Sequence, residues 1–265
     1  MFNLNRKIIV ITGVSGQLGA FYAQAFLQAG ALVAGIDVTD NERSQKLEEE
    51  FGVGFMFLKA NITDRHSVEN ALSLIQQKLG HPEVLINNAA IDSPPSAPAS
   101  ENGLFEEYPE ASWDKVMDVN LKGSFICCQV IGGQMAKVGK GSIINLSSIY
   151  GNVSPDQSLY DYRRKNGEVF FKPVAYSVSK GGILNMSRYL AVYWAKAGVR
   201  VNTLSIAGVF NDQVCEFLDA YNKRIPIGRM AHPEDYIGAL IFLSSDASVY
   251  MTGSNLVVDG GWTAI

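Results

Sequence analysis

The chain is poor in cysteine, histidine and tryptophan, with three of each among its 265 residues. Cys127 and Cys128 are adjacent in a helical stretch and Cys215 stands alone, so reduced thiols in a cytosol are expected rather than a disulfide framework. His66, His81 and His232 have no cysteine or carboxylate partner at ligand spacing, which argues against a metal site. No apolar run is long enough to span a bilayer, and the opening MFNLNRKIIVITG enters a strand without a signal-type segment. Basic residues are not in excess: 22 Lys and Arg stand against 26 Asp and Glu, a net charge of −4. Nucleic acid and anionic membrane surfaces are therefore poor partners. What remains is a cytoplasmic protein acting on small molecules.

What is present is apolar and regularly alternating. Hydrophobic residues make up 47% of the chain, enough for a large core. Strands are predicted at 7–12, 32–37, 54–59, 84–87, 142–147, 200–205 and 255–259. Most are continuous apolar runs without alternation, as in strands buried on both faces of a parallel sheet. Helices are predicted at 17–29, 42–51, 64–79, 112–137, 174–197, 212–221 and 233–243. Such alternation implies an α/β, doubly wound (Rossmann-type) three-layer sandwich with a mostly parallel seven-stranded sheet. No compositional shift divides 1–265 into two domains. Three segments read as loops that could carry specificity or form an interface: 91–111, an insertion at 151–173, and a lid region at 207–228.

The first strand runs into TGVSGQLG, with Gly13, Gly16 and Gly19 ahead of an amphipathic helix. Glycines there permit a tight turn and close backbone approach to a pyrophosphate, and the helix N-terminus favours the anion. Asp37 ends the second strand, eighteen residues after Gly19 (37 − 19). A carboxylate there can accept hydrogen bonds from ribose hydroxyls and repels a 2′-phosphate. The nearest following arginine is Arg43. NAD is expected over NADP.

In YSVSK, Tyr176 and Lys180 lie four apart on a predicted helix and share a face. An ammonium about 4 Å from a phenol contributes about 4 kcal/mol at an effective dielectric of 20. That would lower a tyrosine pKa by up to about three units from about 10. A phenol so tuned can exchange a proton with an alcohol or carbonyl while hydride moves. On spacing alone, the pair would more often be a routine helix-surface contact.

Other motifs follow in order: NNAA (87–90), VNLKG (119–123), INLSS (144–148) and MTGSNLVVDGG (251–261). With the glycine turn, Asp37 and YSVSK, they make the chain resemble the short-chain dehydrogenase/reductase family along nearly its whole length. The resemblance implies Tyr176 as general acid/base, Lys180 as its partner and ribose ligand, and Ser148 as a hydrogen-bonding group for the reacting oxygen. It implies Asn120 as the anchor of a water that links Lys180 to solvent. Implied cofactor contacts are Gly13, Ser15, Gly16, Gln17, Leu18, Gly19, Asp37, Asn61, Ile62, Asn88, Ala89, Ala90 and Val209, together with Tyr176 and Lys180. The family usually assembles as a tetramer, so a homotetramer or homodimer is expected. The chain departs from the family pattern at Gln17, where a glycine is usual, at Asn61 and Ala90, and at Ile206 and Ala207, which replace a Pro-Gly pair.

Ser148 and Tyr176 are 28 positions apart, well beyond the family's usual dozen or so. The insertion and the GWTAI ending resemble bacterial oxidoreductases found with flagellin-modification and surface-polysaccharide genes, which implies a sugar or nucleotide-sugar substrate. Arg163 and Arg164 could receive a phosphate or carboxylate bidentately, or could form a basic turn facing solvent. Asp92, Tyr150, Arg163 and Arg164 are the candidate substrate contacts. The expected function is NAD(H)-dependent interconversion of a secondary alcohol and a ketone. The alternatives are the same chemistry on a non-sugar ketone such as a 3-oxoacyl thioester, or a non-catalytic dinucleotide-binding regulator.

Overall fold

The computed structural model describes residues 1–93 and 102–265. Seven strands form one parallel sheet: β1 (Ile8–Thr12), β2 (Leu32–Asp37), β3 (Phe55–Lys59), β4 (Val84–Asn87), β5 (Gly141–Ser148), β6 (Val199–Ile206) and β7 (Asn255–Val258). Their order across the sheet is β3-β2-β1-β4-β5-β6-β7. The chain winds outward from β1 to β3, returns to the other side of β1 with β4, and winds outward again. That reversal opens a crevice at the carboxyl ends of β1 and β4, the place where such sheets bind ligands. The expected strands agree with these to within one residue at either end.

The central strands β1 and β4 are buried on both faces because helices cover both. In β1, Ile8 and Val10 pack with Val68, Ile75, Ile126, Ile131 and Trp194. These come from α3 (Arg65–Lys78), α4 (110–138) and α7 (Val174–Trp194). The alternate residues Ile9 and Ile11 pack with Tyr22, Phe26, Leu47, Leu240 and Leu243. Those lie on α1 (Gln17–Gln28), α2 (Glu42–Phe51) and α9 (Ile237–Ser244). Burying one such Ile or Leu contributes about 1.5–3 kcal/mol, so the two layers hold the sheet by many modest increments. Asn41 caps α2 by accepting from the Arg43 and Ser44 amides, and Asp64 caps α3 by accepting from His66.

The α4 helix is not uniformly α. Asp118–Gly123 and Cys128–Gly132 are π-helical turns within it. Cys127 and Cys128 lie on the buried face of α4, and burial pushes both thiols up, that of Cys128 to about 12. They serve as core, not as nucleophiles.

The 151–173 insertion is more ordered than its composition implies. It follows α5 (Ile149–Asn152) and contains a 3₁₀ turn at Gln157–Tyr160 and α6 (Asp161–Lys165). Leu159, Tyr160 and Phe170 join Tyr221 and Ile225 of α8 (Cys215–Arg224), and Trp262, in a third apolar cluster. The lid helix thus sits three residues later than expected and is packed against the insertion. Arg163 and Arg164, expected as substrate contacts, brace this unit. Arg163 pairs with Glu168 at 2.7 Å and lies 4.0 Å over the Phe170 ring. Arg164 donates to the carbonyls of Gln157 and Phe170 and pairs with Asp161. Each guanidinium thus commits part of its five donors within the insertion. Of the expected 91–111 loop, residues 94–101 lie outside the described residues, and α4 already begins at 110.

Candidate active site

The glycine turn is built by close approach. Gly13 adopts φ +71°, and a Cβ there would lie 2.8 Å from the Ala89 Cα. A Cβ on Gly19 would lie 2.1 Å from the Gly13 carbonyl oxygen, so α1 can start against the turn only because residue 19 has no side chain. Helix geometry leaves the first-turn N–H groups of α1 without intrahelical acceptors, available to an anion. Asp37 is fixed at the end of β2: its carboxylate accepts from the Ser15 amide at 3.0 Å and the Thr39 amide at 3.2 Å. Asn88 ties β4 to β1 through Thr12, donating its side-chain amide to the Thr12 carbonyl at 3.0 Å. Gln17 donates to the Phe210 carbonyl at 3.1 Å, joining the turn to the lid region.

One cleft of about 710 Å³ runs along this edge of the sheet. Gly13, Gly16, Gln17, Leu18, Gly19, Asp37, Asn61, Ile62, Asn88, Ala89, Ala90, Tyr176 and Lys180 all line it. Ser15 and Val209 do not. The Ser15 hydroxyl is turned back to the Thr39 carbonyl at 2.6 Å, and Val209 bridges to Ala231. Among the departures from the family pattern, Ile206 also lines the cleft.

At the far end, α7 presents Tyr176 and Lys180 as the four-residue spacing implies. Lys180 is 5% exposed and donates to the Leu146 carbonyl at 2.9 Å. Its ammonium is 5.7 Å from the centre of the Tyr176 ring. Burial pushes the Lys180 pKa down to about 8. Tyr176 moves the opposite way to expectation. Burial, with the Asp92 carboxylate nearby, pushes its phenol up to about 12, opposed by a hydrogen bond from Ser148. The expected lowering by Lys180 fails because the phenol loses more hydration than that distant, carbonyl-bound ammonium returns. Ser148 ends β5 and also accepts from the Tyr150 amide at 3.2 Å.

Asn120 sits in the first π turn of α4, 1% exposed. Its side chain accepts from the Ile91 amide at 2.8 Å and donates to the Ile91 carbonyl at 2.9 Å and to Ser179 at 3.0 Å. Both amide hydrogens are used, so the side chain clamps the segment after β4 to α7 and has no donor left for a water.

Several lining residues were not anticipated, among them Thr63, Lys115, Val119 and Leu146. Lys172, which lies outside the cleft lining, was not anticipated either. It bonds Asp92 at 2.6 Å and lies 5.2 Å from the centre of the Tyr176 ring. Lys172 precedes α7, and no local pattern in the sequence marks it. Lys172 lines a second cavity of about 660 Å³, with Tyr150, Gln157 and Ser177 on its wall.

A family model described as enoyl-(acyl carrier protein) reductase matches residues 13–263. The D-threitol dehydrogenase of Mycolicibacterium smegmatis is 33% identical, over 99% of this chain and 95% of its own length. A protein of Yarrowia lipolytica named probable NADP-dependent mannitol dehydrogenase is 32% identical, over 98% of this chain and 89% of its own. The crystal structure of a short-chain dehydrogenase from Leptospira borgpetersenii with bound NAD+ superposes with a TM-score of 0.86 at 32% identity, covering 98% of this chain and 94% of that one. The chain belongs to the short-chain dehydrogenase/reductase family. Its reaction is therefore of the family's alcohol–ketone type, with a nicotinamide dinucleotide as cofactor. The cleft fits that group: the glycine turn leaves no room for a side chain at Gly13 or Gly19, and the cleft lies within the roughly 300–1,000 Å³ common for small-molecule sites. No helix among the described residues is long and apolar enough to cross a membrane.

Proposed function

We propose that this short-chain dehydrogenase/reductase is an NAD(H)-dependent dehydrogenase of polyols and related sugar derivatives. The observation that carries the reading is a single cleft with Asp37 and the glycine turn at one end and Tyr176 and Lys180 at the other. Names of relatives support polyols rather than nucleotide-linked sugars as substrates. The Asp37 carboxylate supports NAD, because a 2′-phosphate would meet its negative charge.

When bound, the nicotinamide accepts or gives the hydride. Tyr176 holds the proton that the substrate oxygen gains on reduction and loses on oxidation. With its pKa pushed up to about 12, the phenol is protonated at neutral pH and ready as an acid for the ketone. Ser148 donates a hydrogen bond to the same oxygen and orients it. Lys180 contributes positive charge beneath the ribose position, and Asn120 is a positioning residue that fixes Ile91 on the cleft wall.

The enzyme is further inferred to be a homo-oligomer. Tyr189, Val192 and Tyr193 are exposed on α7 and Phe125 on α4, an apolar face suited to a second copy. Light scattering after gel filtration should give a dimer or tetramer mass.

Tyr176→Phe tests the chemistry. Turnover of D-threitol with NAD+ should fall by about 10²–10⁴, the range for losing a general acid/base, while NADH binding stays within about threefold. A Tyr176→Phe enzyme with full turnover would refute the mechanism. Turnover of 3-oxoacyl thioesters in place of polyols would move the substrate assignment.

A further inference from the structure

The Lys172–Asp92 ion pair stands where the two cavities meet. Asp92 lines the cleft that holds Tyr176 and Lys180. Lys172 lines the neighbouring cavity. Their 2.6 Å contact joins the segment after β4 to the end of the insertion, across 80 residues of sequence. The lysine side chain is 16% exposed and the aspartate 47%. The ammonium lies 5.2 Å from the centre of the Tyr176 ring, beside the phenol that handles the substrate proton. A substrate whose oxygen is held at Tyr176 shares its cleft with the Asp92 end of this pair.

We propose that Lys172 and Asp92 form the specificity element of the site, reading a hydroxyl on the carbon next to the reacting one. This rests on the polyol reading above. The ammonium donates to that hydroxyl oxygen and the carboxylate accepts its proton, so one hydroxyl satisfies both charges. The pair is neutral as a unit. It gives an uncharged vicinal diol two charge-assisted hydrogen bonds, whereas a phosphate or carboxylate at that place would gain Lys172 but meet Asp92. Arg163 and Arg164 are engaged by Glu168, Asp161 and backbone carbonyls, so an anion would compete with contacts already made within the insertion. The substrate class that follows is a neutral polyol or α-hydroxyketone rather than a sugar phosphate.

The test compares D-threitol, D-arabinitol, cyclohexanol and D-glucitol 6-phosphate as substrates of the purified enzyme with NAD+, in wild type, Lys172→Met, Lys172→Arg and Asp92→Asn. Wild type is expected to prefer the neutral polyols to both cyclohexanol and the phosphate. In Lys172→Met and Asp92→Asn, kcat/KM for the polyols should fall at least about tenfold more than kcat/KM for cyclohexanol. Lys172→Arg should recover part of that selectivity, because it keeps the charge. NADH affinity, read by nicotinamide fluorescence, should move less than threefold in all three variants. Equal losses on polyol and cyclohexanol would refute the specificity role while leaving the dehydrogenase reading intact. A wild type that favours the phosphorylated substrate would also refute it. A wild type that oxidises none of the four would refute the polyol reading and this inference together.

Discussion

Asp37→Asn separates electrostatics from hydrogen bonding at the cofactor end of the cleft. Asp37 is half-buried, and its two carboxylate oxygens already receive the Ser15 and Thr39 amides. Two unit charges about 4 Å apart interact by about 4 kcal/mol at an effective dielectric of 20 and about 1 kcal/mol in bulk water. For a half-buried group the lower part of that span applies, about 1–2 kcal/mol per charge. A 2′-phosphate carries about 1.5–2 charges, so Asp37 should disfavour it by about 1.5–4 kcal/mol. That corresponds to about tenfold to 1,000-fold in relative affinity. The substitution also weakens the turn, because an amide nitrogen would face one of the two backbone donors. That loss falls on both cofactors, so the ratio of the NADPH and NADH dissociation constants isolates the charge. Titration calorimetry of wild type and Asp37→Asn should show this ratio dropping by at least about tenfold. A change of less than threefold, or a wild type binding NADPH as tightly as NADH, would refute the argument.

Other consequences are open to direct measurement. Alcohol oxidation should rise with pH through the alkaline range as the Tyr176 phenol, pushed up to about 12, begins to ionise, and ketone reduction should be favoured at lower pH where it holds its proton. Initial rates in both directions from pH 6 to 10 check the sign, and an oxidation rate that falls steadily with pH would contradict it. Gly19→Ala would place a methyl 2.1 Å from the Gly13 oxygen, so α1 must shift. Overpacking of this kind costs about 1–3 kcal/mol, and NADH affinity should fall by at least tenfold in fluorescence titration. Replacing Arg163 and Arg164 together with alanine should lower the melting temperature by several degrees by loosening the insertion, with KM for D-threitol changed less than twofold. A large KM change without a stability loss would restore them as substrate contacts.

The sheet was legible because strands buried on both faces must be apolar throughout. Val10, Ile36 and Ile144 announce this without any tertiary knowledge. The glycine turn and the Tyr176–Lys180 spacing were legible because their chemistry is local: a helix sets the spacing, and a turn sets the glycines. The insertion read as a loop because it lacks apolar periodicity. Its order comes from contacts such as Arg164 with the Gln157 and Phe170 carbonyls, and from packing on α8. The Tyr176 pKa was misjudged because spacing reveals Lys180 but not the depth of burial or the approach of Asp92, 84 residues earlier (176 − 92). Lys172–Asp92 was invisible for the same reason: an ion pair between distant segments leaves no local pattern.

The two π turns of α4 solve a problem of angular phase. Ser112, Val116, Asn120, Ser124, Cys128 and Gly132 are all buried, a strict repeat of four. In an ideal α-helix of 3.6 residues per turn, each step of four overshoots by about 40°, and five steps rotate the face by about 200°. The stripe would swing from sheet to solvent. Underwinding at Asp118–Gly123 and Cys128–Gly132 absorbs that rotation. Asn120 can therefore clamp Ile91 while Cys128, two turns on, still meets Asn87 and Asn145 beneath the sheet. A single-residue deletion inside either turn would restore regular winding and rotate one half of the helix against the other. The cleft wall and the core beneath it are thus geared to each other through one helix.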